Sequence, residues 1–166
     1  MERLFSPWRS QYIASFKREQ KHGDECLFCA VTASRKDVRN LVLHRGKTCF
    51  VMMNLYPYNS GHIMVVPYRH TSELGDLSKL EHSEVMTLLA RMMKVMKPLM
   101  HPHGFNIGAN LGRAAGAGID QHIHFHLVPR WNGDTNFMPT LAETKLVSED
   151  IDRTYGKLRK ALNKKR

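Results

Sequence analysis

Three histidines alternate along one short segment of the chain, and no other part of the sequence is as rich in chemistry. They are His122, His124 and His126, within the run QHIHFHLVPRW at positions 121–131. A strand alternates its side chains between two faces, so the three imidazoles share one face and the apolar residues between them point to the core. Because an ordinary solvated face carries Thr, Lys or Glu, this row predicts a functional site.

The spacing argues against one metal ion bound by all three imidazoles. Neighbours on one face of a strand lie ~6.7 Å apart, and the outer pair is therefore separated by ~13 Å. A zinc ion holds each ligand nitrogen at ~2.1 Å, so only two neighbours can converge on it without severe bending. We expect divided labour, with one histidine facing a different site from the other two.

A neutral imidazole, with a pKa of ~6.5, is a competent nucleophile near pH 7. Its attack on phosphorus gives a phosphoramidate that a second nucleophile can capture, and a neighbouring imidazole can donate a hydrogen bond to the phosphoryl oxygens. The preceding loop of small residues, Gly112–Gly118, allows its backbone N–H groups to approach phosphate closely. The row and the loop together favour attack on the phosphorus of a bound phosphate group.

Two of the three cysteines form a C-x-x-C pair, Cys26 and Cys29. An odd cysteine count argues against a disulfide scaffold and favours a cytosolic metal or redox pair. A metal ion needs two further ligands, which the pair alone does not identify. Cys49 alternates within a strand and is expected to be a small buried hydrophobe.

The elements that position these residues follow from the hydrophobic pattern of a chain of 166 residues, the size of one ordinary domain. Short β-rich runs with turn residues between them predict an antiparallel meander, and a helix with apolar positions at helical spacing begins after the capping pair Ser78 and Glu81. The predicted strands are 41–45, 48–53, 61–66, 105–110 and 121–129. We expect a single α+β domain over 1–166, with an antiparallel sheet and covering helices, an N-terminal arm at 1–24 and a basic C-terminal helix at 147–166.

The net charge of +10 predicts attraction to an anionic partner such as a nucleotide, a nucleic acid or an acidic surface. No apolar run approaches the ~20 residues of a membrane-spanning helix, and the first residues do not resemble a secretory signal. We therefore expect a cytoplasmic protein with no membrane partner.

The run from His122 to Val128 resembles the signature of the histidine-triad family, in which histidines alternate with apolar residues. The segment from Asn54 to His62, followed by IMVVP, resembles the family's strand pair, and Asn110 with the glycine-rich loop stands at about the family's distance before the triad. The tail PRWNGDTNFM at 129–138 resembles the branch that contains diadenosine tetraphosphate phosphorylases. The resemblance implies a histidine-triad fold and a homodimer.

The resemblance also implies a role for each matching residue. His124 would attack the α-phosphorus to form a nucleotidyl-histidine, and His126 would contact phosphate oxygens or assist the leaving group. Asn54 would bind the ribose. Independently of the resemblance, His62 follows Gly61 at the head of a predicted strand and is expected to orient the pocket. The phosphates would be held by Asn110, Gly116, Gly118 and Ile119. Trp131 and Phe137 would stack on a base or close the pocket, the alternative being ordinary packing or a dimer contact.

A related uridylyltransferase branch binds zinc through a C-x-x-C, a histidine after a strand and the first triad histidine. By that resemblance Cys26, Cys29, His70 and His122 would form a closed structural zinc site.

The resemblance implies phosphorolysis of diadenosine tetraphosphate or a related dinucleoside polyphosphate, with inorganic phosphate as the acceptor. Capture by water instead would make the protein a hydrolase of such compounds or of nucleoside phosphoramidates. A zinc-stabilised, non-catalytic module that binds nucleotides or nucleic acid is the alternative of another class, although nucleic acid is disfavoured because no RNA-stacking motif appears. A hydrolase with a catalytic metal is disfavoured by the strand geometry.

Overall fold

The computed structural model describes residues 26–134 and 150–163. Five strands form one antiparallel sheet in the order β1-β2-β3-β5-β4. Their bounds are β1 Val42–Arg45, β2 Cys49–Met53, β3 Ile63–Pro67, β4 Gly104–Gly108 and β5 Phe125–Arg130. The predicted meander of the first three strands and the α+β class are both confirmed.

The last strand begins later than the alternating pattern predicted, at Phe125 instead of 121. The backbone N–H of Ile123 donates to the carbonyl of Thr71, outside the sheet ladder, and β5 pairs with β3 only from Phe125 onward. His122 and His124 therefore lie in an extended segment that leads into the strand, and both are buried there. Only His126 belongs to the strand itself.

Three α-helices accompany the sheet within the described part of the chain. They are α1 Leu27–Ser34, α2 Lys79–Met100 and α3 Ile151–Asn163. The predicted capping box is present at the start of α2, where Ser78 accepts from the N–H of Glu81 and the Glu81 carboxylate accepts from that of Ser78.

Of the basic helix predicted over 147–166, the structure describes α3. The Asp150 carboxylate accepts the N–H of Arg153 and so caps the first turn of α3, which begins at Ile151. The predicted arm at 1–24 lies outside the described residues, as do 147–149 and 164–166.

The sheet buries a hydrophobic cluster on each face. On one face α2 and α3 cover a helix-side cluster that includes Val65, Leu127 and Leu158, each fully buried. On the other face α1 contributes Phe28 to a smaller cluster with Phe50, which we call the α1-side cluster. The histidine row lies on the α1 side, because Phe125 and Leu127 in the same strand point toward α2.

A single carboxylate ties the β1–β2 turn to α2. Glu84 accepts from the backbone N–H groups of Lys47, Thr48 and Cys49 and from the Thr48 hydroxyl. A Cβ at Gly46 would lie 2.5 Å from a Glu84 carboxylate oxygen, so glycine is required at this approach.

Within 26–134 and 150–163, no helix combines the length and apolar character needed to cross a membrane.

Candidate active site and metal centre

The backbone that leads into β5 orients the middle histidine of the row. Nδ1 of His124 lies 2.9 Å from the carbonyl oxygen of His122. A carbonyl can only accept, so Nδ1 carries the proton of the neutral ring and Nε2 keeps its lone pair. His124 is therefore held as the tautomer that a nucleophile needs.

A second chain of hydrogen bonds sets the opposite tautomer on His126. The backbone N–H of Tyr58 donates to Nδ1 of His62, so the neutral His62 ring carries its proton on Nε2. That Nε2 lies 2.9 Å from Nδ1 of His126 and donates to it. Neutral His126 consequently carries its proton on Nε2.

This Nε2–H of His126 is buried and has no hydrogen-bond partner within the described part of the chain. An unsatisfied buried donor costs about 1–3 kcal/mol. The rings of His124 and His126 are 4.9 Å apart. Two neighbouring imidazoles thus offer complementary groups, a lone pair on one and an N–H on the other.

Burial keeps both rings neutral near pH 7. It lowers the pKa of His124 and, together with the neighbouring His124, lowers the pKa of His126 to about 4. Both imidazoles are therefore in the neutral form near pH 7, where one can act as a nucleophile and the other as a hydrogen-bond donor.

The first histidine of the row faces a different set of side chains. Ligand atoms of Cys26, Cys29, His70 and His122 all lie within 4.8 Å of one another. Nδ1 of His122 is 3.3 Å from the Cys26 sulfur, and Nδ1 of His70 is 3.4 Å from the Cys29 sulfur. As expected, one histidine of the row, His122, faces a different site from the other two.

The donor set fits a tetrahedral metal ion. Ligand atoms at 2.0–2.3 Å from a tetrahedral zinc lie roughly 3.3–3.8 Å from one another. The two nitrogen–sulfur distances, His122 to Cys26 and His70 to Cys29, fall in that range. Nε2 of His122 donates to the carbonyl of Pro67 at 2.9 Å, which leaves the Nδ1 lone pair directed at the sulfurs. Cys49 is not part of this set, since it is fully buried elsewhere and burial raises its pKa to about 11.

The strand ends bring the predicted substrate residues toward the row. Asn54 follows β2, where its N–H donates to the carbonyl of His62 and its side-chain oxygen accepts the N–H of Tyr56. Gly108 pairs with His126, so Asn110 stands two residues beyond the end of that ladder.

The predicted phosphate loop lies between β4 and β5. Gly116 has a φ of +89° at the end of a single 3-10 turn, and Gly118 is exposed. Ile119 packs on the α1-side cluster instead of presenting its side chain to solvent. All three lie in the loop that leads into the histidine row. The backbone N–H of Gly116 donates to the carbonyl of Arg113, and the Ile119 side chain is occupied by packing.

Trp131 lies among the residues at the end of α2. Its indole N–H donates to the carbonyl of Met100 at 3.1 Å, and its backbone N–H donates to the Asp134 carboxylate. This contact favours the packing alternative over stacking on a base. Phe137 lies outside the described residues.

Two contributors to the site were underestimated from sequence. His62 was expected only to orient the pocket, but it is fully buried and sets the tautomer of His126. Phe28 was not predicted at all, although its ring lies 5.3 Å from that of His122 and 5.1 Å from that of His124. The one available signal for Phe28 was its place inside the C-x-x-C pair.

The sheet order and the buried row of alternating histidines together define a histidine-triad protein. A family model for the HIT domain matches residues 35–133, and the chain belongs to the HIT family. A protein of Mycobacterium tuberculosis (strain CDC 1551 / Oshkosh) named AP-4-A phosphorylase is 41% identical over 152 residues, which cover 90% of this chain and 78% of the relative.

Two further proteins are similar. The bis(5'-nucleosyl)-tetraphosphatase [asymmetrical] of Schizosaccharomyces pombe is 29% identical over 125 residues, or 75% of this chain and 65% of that protein. The crystal structure of a zinc-bound histidine triad family protein from Mycobacterium smegmatis superimposes with a TM-score of 0.68 at 27% identity, covering 83% of this chain and 93% of that one. The predicted family and fold are confirmed.

Proposed function

We propose that this protein is a nucleotidyl transferase that cleaves diadenosine tetraphosphate or a related dinucleoside polyphosphate by phosphorolysis. The observation that carries the proposal is the complementary pair of neutral imidazoles, His124 with a free lone pair and His126 with an orphaned, buried N–H. The similarity to the AP-4-A phosphorylase of M. tuberculosis supports the choice of substrate.

The reaction proceeds through a covalent intermediate on His124. Its Nε2 forms a bond to the α-phosphorus, and the bond from that phosphorus to the bridging oxygen breaks, with the electron pair leaving on the departing ATP. The Nε2–H of His126 donates to an oxygen of the reacting phosphoryl group as charge develops there. A phosphate oxygen then attacks the phosphorus, the N–P bond returns its electrons to His124, and ADP leaves.

The remaining substrate contacts belong to residues around this pair. Asn54 binds the ribose through its side-chain amide, and Asn110 together with the backbone at Gly116, Gly118 and Ile119 holds the phosphates.

Hydrolysis is the second candidate, because the S. pombe relative is named a tetraphosphatase. Water then captures the same intermediate, and AMP replaces ADP among the products. Product analysis with diadenosine tetraphosphate, with and without inorganic phosphate, distinguishes the two: ADP that appears only with phosphate identifies phosphorolysis.

Trapping the intermediate tests the nucleophile directly. A quench in alkaline denaturant, in which the N–P bond of a phosphoramidate survives, is expected to leave radiolabel from the substrate on the wild-type protein. His124→Gly should carry no label and turn over at least ~1000-fold more slowly, with an unchanged circular dichroism spectrum. His82→Gly, which removes an exposed imidazole on α2, serves as the control. Full turnover by His124→Gly would rule out the nucleophile, and binding of substrate without any product in the wild type would favour the non-catalytic module.

We also propose that Cys26, Cys29, His70 and His122 bind a structural zinc ion. A bound ion would tie α1 to the end of β3 and to the segment that precedes β5. Support comes from the four-ligand geometry and from the zinc-bound protein of M. smegmatis.

Metal analysis after mild purification is expected to give one zinc per chain, and none in Cys29→Ser. Cys49→Ala, which removes the thiol outside the cluster, should retain the metal. Wild-type protein that is fully folded without zinc would refute the site.

We further propose a cytoplasmic homodimer, as the family resemblance implies. Light scattering of the purified full chain measures the oligomeric state, and a monomer at micromolar concentration would contradict the proposal.

A further inference from the structure

We propose that Arg113 binds the acceptor phosphate and so decides whether phosphate or water captures the intermediate. This inference rests on the proposed function and deepens it, because it assigns a subsite for the second substrate. Arg113 is the one Lys or Arg in the loop between β4 and β5, which leads into the histidine row.

An ion pair links Arg113 to the segment that carries the histidine row. The β4–β5 ladder ends where Gly108 pairs with His126. The loop that follows β4 then leads back to the histidine row. Nε of Arg113 donates to the Asp120 carboxylate at 2.6 Å. Asp120 stands two residues before His122, so this ion pair ties the arginine to the segment that carries the nucleophile.

The return half of the loop is itself anchored beside the row. Ile119, next to Asp120, packs on the α1-side cluster. Phe28 of that cluster lies 5.1 Å from His124, measured between ring centroids. The carboxylate that holds Arg113 is therefore fixed to the packing that surrounds the nucleophile.

The guanidinium has unused donors. Its side chain is 77% exposed, and only Nε is hydrogen-bonded among the described residues, so both Nη groups are available. A guanidinium presents its N–H groups as a planar fork that matches two oxygens of a phosphate. The neighbouring loop side chains are no larger than a methyl group from Ala114 to Gly118, which leaves room for a tetrahedral anion.

The chemistry of the second step requires such a group. The acceptor is a phosphate dianion that must approach a phosphorus already surrounded by negatively charged oxygens. A cation reduces this repulsion for phosphate, whereas water needs no such assistance. The phosphate oxygen forms the new P–O bond while the N–P bond to His124 breaks, and the remaining acceptor proton passes to solvent.

The partition of the intermediate between ADP and AMP tests the proposal. Purified full-length protein is incubated with diadenosine tetraphosphate and increasing inorganic phosphate, and ATP, ADP and AMP are quantified. Because both products arise from one intermediate, their ratio does not depend on how fast that intermediate forms. Arg113→Ala is expected to raise the phosphate concentration for half-maximal ADP formation by ~10- to 100-fold and to shift products toward AMP.

Matched variants separate phosphate binding from loss of charge or of fold. Arg153→Ala removes a positive charge from an exposed position on α3 and should leave the ratio of ADP to AMP unchanged. Arg113→Lys keeps the charge without the planar pair of donors and should recover part of the lost ADP formation. An Arg113→Ala ratio that matches wild type at every phosphate concentration would overturn the assignment. Wild type that yields ATP and AMP but never ADP would instead refute phosphorolysis, and this inference with it.

Discussion

Protonation of His126 is expected to lower the stability of the folded protein in mild acid. Its pKa is about 4 in the folded state because of burial and the neighbouring His124, against 6.5 when the ring is free. Above pH 6.5 both states are neutral. Between pH 6.5 and 4 only the unfolded state binds the proton, so stability falls as the pH falls, and below pH 4 the loss levels off.

The pKa difference gives the size of the effect. At 1.36 kcal/mol per pH unit it corresponds to ~3 kcal/mol of unfolding free energy, of which ~2 kcal/mol is lost between pH 6.5 and 5. This is a large share of the stability of an ordinary domain. Protonation would also place an N–H on Nδ1 of His126, facing the Nε2–H of His62, so the hydrogen bond between the two rings is lost in the same pH window.

Urea unfolding of wild type and His126→Gln at pH 7, 6 and 5 isolates the contribution. The glutamine can still accept from His62 but does not titrate, and the other ionisable groups cancel in the comparison. We expect the stability advantage of wild type over the variant to shrink by ~2 kcal/mol from pH 7 to 5. A difference that stays constant within ~0.5 kcal/mol would show that His126 is not buried as a neutral ring.

Three further substitutions test the architecture. His62→Phe should lower kcat ~10- to 100-fold with little change in KM, because His126 loses the donor that sets its tautomer. His62→Gln should recover part of the loss. Equal activity of the wild type and both variants would contradict the role of His62 in setting that tautomer. Gly61→Ala should cost ~1–3 kcal/mol in urea unfolding, since φ is +76° and the new Cβ would lie 2.8 Å from Met100, whereas Gly75→Ala meets nothing within 4 Å and should be neutral. Glu84→Ala should cost ~2–3 kcal/mol by the same assay, because three backbone N–H groups lose their acceptor, and a loss below ~0.5 kcal/mol would mean that water replaces the carboxylate.

Short sequence patterns correctly predicted those helices and strands that are stabilised by residues close together in the chain. The capping pair Ser78 and Glu81 satisfies the first free donors of a helix whatever surrounds it, so the start of α2 was predicted correctly. Alternation with turn residues between runs likewise predicted the β1–β3 meander. These signals involve residues within a few positions of one another, which is why they can be read without the fold.

The start of β5 shows where such a pattern fails. Alternation from 121 to 129 is typical of one continuous strand, but the Ile123 N–H bonds to Thr71, far away in sequence. A strand begins where a partner strand is available, and the pattern carries no information about that partner. Helix α1 was missed for a related reason: it is short, and only Phe28 and Val31 are buried on it.

The reactive groups are apparent from the amino-acid sequence alone: three alternating imidazoles, two thiols separated by two residues, and a loop of small residues before the histidines. The role of each imidazole depends on the folded chain. His122 faces two sulfurs, and His124 donates to a backbone carbonyl. His126 accepts a hydrogen bond from His62, which lies just before β3 and 64 residues earlier in the chain. Which nitrogen of a neutral imidazole keeps its lone pair depends on the partner of the other nitrogen, and that partner is chosen by the packing of distant segments.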